Sequence, residues 1–123
     1  MRRVVIDTNA LMAIEETGID LFGELEKVCT FSYTLGIVSA SYSELEKIAG
    51  QSKGKAGRSA RLALSLIKAK GIVIIDAQGY ADDALVQCSA QGDIVLTVDR
   101  ELRSRLCKPY LTIRQGKKIV LVE

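Results

Sequence analysis

Ile94-Val95-Leu96-Thr97-Val98, closed by Asp99, places apolar side chains at successive positions instead of alternate ones. A strand sends neighbouring side chains to opposite faces, so a run of this kind needs apolar cover on both sides of its sheet. Arg3-Val4-Val5-Ile6, closed by Asp7, has the same character, and so has Ile72-Val73-Ile74-Ile75, which reads as a buried strand. Thr34-Leu35-Gly36-Ile37-Val38 reads as another strand. Helical segments fall between them: 9–16; 19–28, with Asp20 as cap and Leu21, Phe22, Leu25 and Val28 at helical spacing; and 39–48, ending at Gly50. Further helices are expected at 58–70, at 82–91 capped by Asp82, and at 100–107, ended by Pro109. Residues 51–57 hold nothing apolar larger than alanine and read as a mobile loop, while 110–114 and 118–122 read as peripheral strands. Doubly covered strands alternating with helices predict a three-layer α/β/α sandwich with a central, mainly parallel sheet, formed as one domain over residues 1–123.

The chain's 123 residues are 48% hydrophobic and 26% charged, enough apolar material for a packed core. Histidine is absent. That excludes Ser-His-Asp chemistry, His-assisted thiol nucleophiles and imidazole zinc ligands. Cys29, Cys88 and Cys107 are odd in number and widely spaced, fitting free thiols in a reducing compartment better than a disulfide framework. Asp7 interrupts the N-terminus too early for a signal peptide, and no apolar run approaches the roughly 20 residues of a membrane span. The expected location is cytoplasmic.

In a parallel sheet, ligands gather outside the carboxyl ends of the strands. Asp7 and Asp99 directly follow two strands, Glu44 lies one turn into the helix after another, and Asp82 and Asp83 open a fourth segment. Each acid has a plain local role available: a turn for Asp7, a Ser41-Tyr42-Ser43-Glu44 capping box for Glu44, and helix N-caps for Asp82 and Asp99. Together they would crowd like charges at one edge, and a hard divalent cation relieves that crowding. Oxygen donors without histidine suit Mg²⁺ or Mn²⁺.

Val4-Val5-Ile6-Asp7-Thr8-Asn9-Ala10, Glu44-Leu45, Ala81-Asp82-Asp83-Ala84-Leu85-Val86 and Val95-Leu96-Thr97-Val98-Asp99 resemble, in order, the motifs of PIN-domain ribonucleases. Gly79-Tyr80-Ala81-Asp82-Asp83 with the basic 100–107 segment is most similar to the ribosomal-RNA-processing branch of archaea and eukaryotes; VapC-type toxins share the fold and the Asp-Ala-Leu helix start. The resemblance implies a metal-dependent endoribonuclease with Asp7, Glu44, Asp83 and Asp99 as catalytic metal ligands. The register favours Asp83 for the central position and keeps Asp82 as a candidate ligand. Thr8 or Asn9 and Thr97 would orient ligands or water, and the products would carry 5′-phosphate and 3′-hydroxyl ends. A homodimer or a protein partner is also implied.

Net charge is only +2, yet residues 47–70 hold seven bases and no acid, and residues 100–118 hold seven bases against Glu101 alone. Such segregation suits a polyanion. On the ribonuclease reading, RNA would lie on Lys53, Lys55, Arg58 and Arg61 on one flank and on Arg100, Arg103 and Arg105 on the other. With four Tyr, two Phe and no Trp, stacking-based reading of bases is poorly supported. Gly50-Gln51-Ser52-Lys53-Gly54-Lys55-Ala56 misses the P-loop spacing and its hydroxyl, and Asp7-Thr8-Asn9 lacks the second aspartate of a haloacid-dehalogenase-like phosphatase. A non-catalytic RNA-binding scaffold is the rival reading, and it leaves the acids without a role.

Overall fold

Strand β1 (Arg2–Ile6) lies at the centre of a six-stranded sheet in the computed structural model, which describes residues 1–123. Its parallel neighbours are β2 (Tyr33–Val38) on one side and β4 (Ile94–Leu96) on the other. Beyond them, β3 (Val73–Ile75) joins β2 and β5 (Tyr110–Arg114) joins β4, both parallel. The order is β3-β2-β1-β4-β5-β6, with only β6 (Lys118–Val122) antiparallel, as the hairpin partner of β5.

The doubly apolar strands do what their composition requires. Val4, Ile6, Ile37, Ile94 and Leu96 face one core, which holds the buried side chains of α1 (Thr8–Thr17), α2 (Leu21–Val28), α3 (Ser39–Gln51) and α4 (Lys55–Ala69). Val5, Val38 and Val95, the intervening residues, face a second core with Leu85 and Cys88 of α5 (Ala81–Ala90) and Leu102 of α6 (Arg100–Arg103). The architecture is therefore the expected α/β/α sandwich. No helix is long and apolar enough to cross a membrane.

Several local expectations are corrected. Residues 51–57 are not a long mobile loop: α3 runs to Gln51 and α4 starts at Lys55, leaving a three-residue turn. Gly57 is buried there because the Ser52 carbonyl passes where a Cβ would sit, and its N–H donates to Ser52 Oγ (3.2 Å). The glycine marks a close approach of two helices, not slack chain. Ile72 is buried, but Val73 and Ile74 are 58% and 46% exposed, because β3 is the sheet's edge and not an inner strand. The helix expected at 100–107 ends at Arg103, and Tyr80, not Asp82, precedes the first turn of α5.

Candidate active site

Because β1, β2 and β4 are parallel neighbours, their carboxyl ends share one sheet edge. Asp7 stands there, 6% exposed, as the last residue of the β1 ladder and the N-cap of α1. Its backbone N–H donates to Leu96 O across the sheet (2.9 Å). Both carboxylate oxygens are held: Oδ1 accepts from the Thr8 N–H (2.8 Å) and Oδ2 from the Thr97 hydroxyl (2.8 Å). Thr97 Oγ1 in turn accepts from the Asp99 N–H (3.1 Å). Thr97 is wholly buried, so this relay fixes its rotamer and holds the β1 and β4 ends together.

Burial pushes the Asp7 carboxyl above its ordinary range, against the lowering effect of the Thr97 and Thr8 hydrogen bonds; the charges of Asp82 and Glu44 push it up further. Negative charge from α3 and α5 thus acts on the Asp7 carboxylate at the end of β1. Asp82, on the first turn of α5, is the member of the doubled acid whose charge reaches Asp7. Asp83 is instead ion-paired with Arg105 (Nη2–Oδ1 2.8 Å) on an exposed surface. Consecutive helical residues point about 100° apart, so α5 turns the two acids in different directions.

Glu44 is exposed in the second turn of α3 and forms no capping box, since the helix starts at Ser39 with Val38 before it. Asp99 does adopt the capping role available to it: Oδ1 accepts from the N–H groups of Glu101 (2.9 Å) and Leu102 (3.3 Å). No three acid or thiol side chains lie close enough to surround a metal ion by themselves. Mg²⁺ dehydrates reluctantly and commonly takes only one or two carboxylates directly, keeping several waters. The donor set fits such an ion: the donors are oxygens, the charges of Asp82 and Glu44 act on the partly desolvated Asp7 carboxylate, and the buried Thr8 Oγ1 next to it lacks a hydrogen-bond partner, as does the buried Ser41 Oγ of α3. Thr8 is the first residue of α1, and Asn9 is exposed beside it. Ser41, in the first turn of α3, was not among the residues singled out from sequence; its four-residue spacing from buried Leu45 was the available sign that it points inward.

The basic residues divide in the structure. Lys53, Lys55 and Arg100 are exposed with no ion pair. Arg58 approaches Glu15 (3.7 Å), and Arg61 donates to the Ala49 and Ser52 carbonyls (3.2 and 3.4 Å), tying the α3–α4 turn. Arg105 is held by Asp83, while the buried Nε of Arg103 has no partner. Arg61 and Arg105 therefore have structural partners that the sequence reading did not anticipate.

Residues 4–115 match the family model described as "PIN like domain". Ribonuclease VapC4 of Methanocaldococcus jannaschii is 32% identical over 124 residues, covering 95% of this chain and 94% of that protein. Ribonuclease VapC9 of Archaeoglobus fulgidus is 32% identical over 107 residues, covering 85% and 76% respectively. Among solved structures, the PIN domain endonuclease Utp24 superposes with a TM-score of 0.75 at 26% identity, covering 97% of this chain and 90% of that one. The VapBC2 structure from Rickettsia felis, bound to a promoter DNA fragment, shares the fold (TM-score 0.62, 17% identity, coverage 85% and 92%).

Proposed function

The chain belongs to the PIN-like domain family, and on that premise we propose that it is a divalent-metal-dependent endoribonuclease, built as one PIN-like domain over residues 1–123. The observation that carries this reading is Asp7: a buried carboxylate with both oxygens hydrogen-bonded, raised in proton affinity by burial and by Asp82 and Glu44, at the sheet edge where parallel α/β folds bind ligands. A folded protein keeps such an arrangement, at a cost in stability, where function requires it.

Asp7, Glu44 and Asp82 would hold Mg²⁺ or Mn²⁺, with Asp99 reaching it through the carboxylate oxygen that does not cap α6, and with Asp83 outside the set. When bound, the ion lowers the pKa of a coordinated water and offsets charge on the phosphodiester during in-line hydrolysis. The chain's own contribution is positional. Thr97 and the Thr8 amide stop the Asp7 carboxylate from rotating, and the Asp99 amide stops Thr97 from turning away. Thr8 Oγ1 and Ser41 Oγ are the buried hydroxyls available to order water at this edge. With no histidine in the chain, proton transfer falls to water and carboxylates. Lys53, Lys55 and Arg100 draw the RNA backbone toward an otherwise anionic site.

Ribosomal RNA maturation in the cytoplasm is the biological setting we propose first, supported by likeness to Utp24 across 97% of the chain. A toxin-type ribonuclease held by a protein partner is the second reading, favoured by the two VapC relatives. The test is cleavage of structured ribosomal RNA with Mn²⁺ or Mg²⁺, against EDTA and Asp7→Asn. Metal-dependent cutting lost in the variant is expected; RNA left intact by the wild type under all conditions would overturn the enzymatic reading. Induced expression in a bacterial host separates the settings, because growth arrest by wild type and not by Asp7→Asn belongs to the toxin.

A further inference from the structure

The β5–β6 hairpin carries the most conspicuous charge that the site above does not use. Strand β5 runs parallel to β4, so its end at Arg114 lies at the same sheet edge as Thr97 and Asp99. The chain turns there with positive φ at Gln115 (56°) and Gly116 (63°), closed by the Lys117 N–H donating to Arg114 O (3.1 Å). Arg114 and Lys118 sit directly opposite each other across the hairpin, and Lys117 lies beside them. All three are exposed, and none takes part in any of the structure's four ion pairs.

Like charges directly opposed on paired strands are destabilising. A conflict of this kind with no compensating partner marks a surface where an anion belongs. Ile113 and Ile119, the preceding pair, pack into the core on the α1 side, so strand alternation sends Arg114 and Lys118 to the other face, the one that α6 covers with Leu102. Arg100 and Arg103 of α6 follow β4 at the same edge. On the α1 side the hairpin borders a groove of about 390 Å³, near the low end of small-ligand pockets, floored by Val98 and Ile113, with Asn9 and Glu16 offering hydrogen-bonding groups.

We propose that the β5–β6 hairpin is a phosphate clamp for an RNA strand that passes over this sheet edge: Arg114, Lys117 and Lys118 contact backbone phosphates on the α6 side of the turn, and the Val98–Ile113 groove on the α1 side seats the nucleoside that follows. The proposal rests on the ribonuclease reading. Asn9 and Glu16 meet ribose hydroxyls in the groove, while the cations relieve their mutual repulsion on the phosphates.

The experiment measures binding of a short fluorescent single-stranded RNA to the uncut Asp7→Asn protein across a salt series, alongside cleavage by the wild-type chain. Changing Arg114, Lys117 and Lys118 together to Ala in the Asp7→Asn background should lower the slope of log K against log salt by about 2, three phosphates at about 0.7 each. Extrapolated from 1 M salt, where the electrostatic part vanishes, that is about a 100-fold loss at 0.1 M. Val98→Ala should weaken binding with no change of slope. Lys108→Ala, on the exposed segment before β5 at the opposite sheet edge, should change neither. Lys118→Glu turns a like-charge pair into an opposite one, so it should raise Tm while lowering RNA affinity, a combination that general damage to the fold does not produce. If the triple variant is poorly folded, Lys117→Glu at the exposed turn carries the affinity test. Wild-type affinity and slope in the folded triple variant, or in Lys117→Glu, with cleavage by the wild type intact, would overturn the clamp alone. Absence of both RNA binding and cleavage in the starting proteins would overturn the ribonuclease reading and the clamp with it.

Discussion

Replacing Thr97 by Val tests whether the site is held as described. Valine matches threonine in shape, so the substitution removes a hydroxyl and little else. Two hydrogen bonds go: the 2.8 Å donation to Asp7 Oδ2 and the 3.1 Å acceptance from the Asp99 N–H. The first involves a carboxylate at a fully buried position and is worth about 2 kcal/mol, the second about 1 kcal/mol. The expected loss is thus about 3 kcal/mol, which at about 4 °C per kcal/mol for a domain of this size lowers Tm by roughly 12 °C. The loss also depends on pH. Burial already holds the Asp7 carboxyl above its ordinary range, and the Thr97 bond opposes that shift, so Thr97→Val raises it further. An acid whose folded pKa exceeds its unfolded value binds more protons in the native state, and stability falls as pH rises through the folded value. The variant should therefore lie nearer to wild type where Asp7 is protonated and furthest from it where Asp7 is ionised in both proteins. Thermal melts of both proteins across pH give the answer. A Tm within about 2 °C of wild type at the alkaline end of the series, or a deficit independent of pH, would refute the reasoning.

Asp7→Asn should reduce RNA cleavage on the order of 100-fold or more, while its Tm above neutrality stays at or above the wild-type value, because the buried charge no longer has to be desolvated; parallel melts and gel assays check both. Asp82→Asn should reduce initial rates at least about 10-fold, whereas Asp83→Asn, which breaks only an exposed pair with Arg105, should keep most of the activity. Gly57→Ala forces a methyl onto the Ser52 carbonyl and should cost about 1–3 kcal/mol in urea unfolding, through displacement of α3 against α4. Arg105→Ala should leave Tm unchanged, since both partners of its ion pair face solvent.

Sequence periodicity was sufficient for the architecture. Val4-Val5-Ile6 and Ile94-Val95-Leu96 are apolar at consecutive positions, a pattern that a sheet covered on both faces buries, so the layers and the mainly parallel sheet follow from the sequence pattern. The run at Val73-Ile74-Ile75 has the same composition but forms the exposed edge. Its own residues contain nothing that counts how many strands lie beyond it. At Gly57 the sequence states the absence of a side chain and not what passes close by, so the buried approach of the Ser52 carbonyl is visible only in the fold.

The site divides in the same way. That Asp7, Glu44 and an acid of the α5 start would lie toward one edge of the sheet follows from their places after the strands, a matter of chain order. Which of Asp82 and Asp83 turns toward the Asp7 edge depends on where α5 starts, and one residue of register turns a helix by about 100°. Thr97 gripping Asp7 across 90 positions of chain, Arg61 spent on two carbonyls, and Arg114 set against Lys118 are likewise results of packing. The sequence by itself determined which chemistry this protein can hold, because residue type sets donor, charge and hydrophobicity. Only the tertiary structure decided which donors meet, because contact between distant residues depends on the angle and register at which whole elements pack.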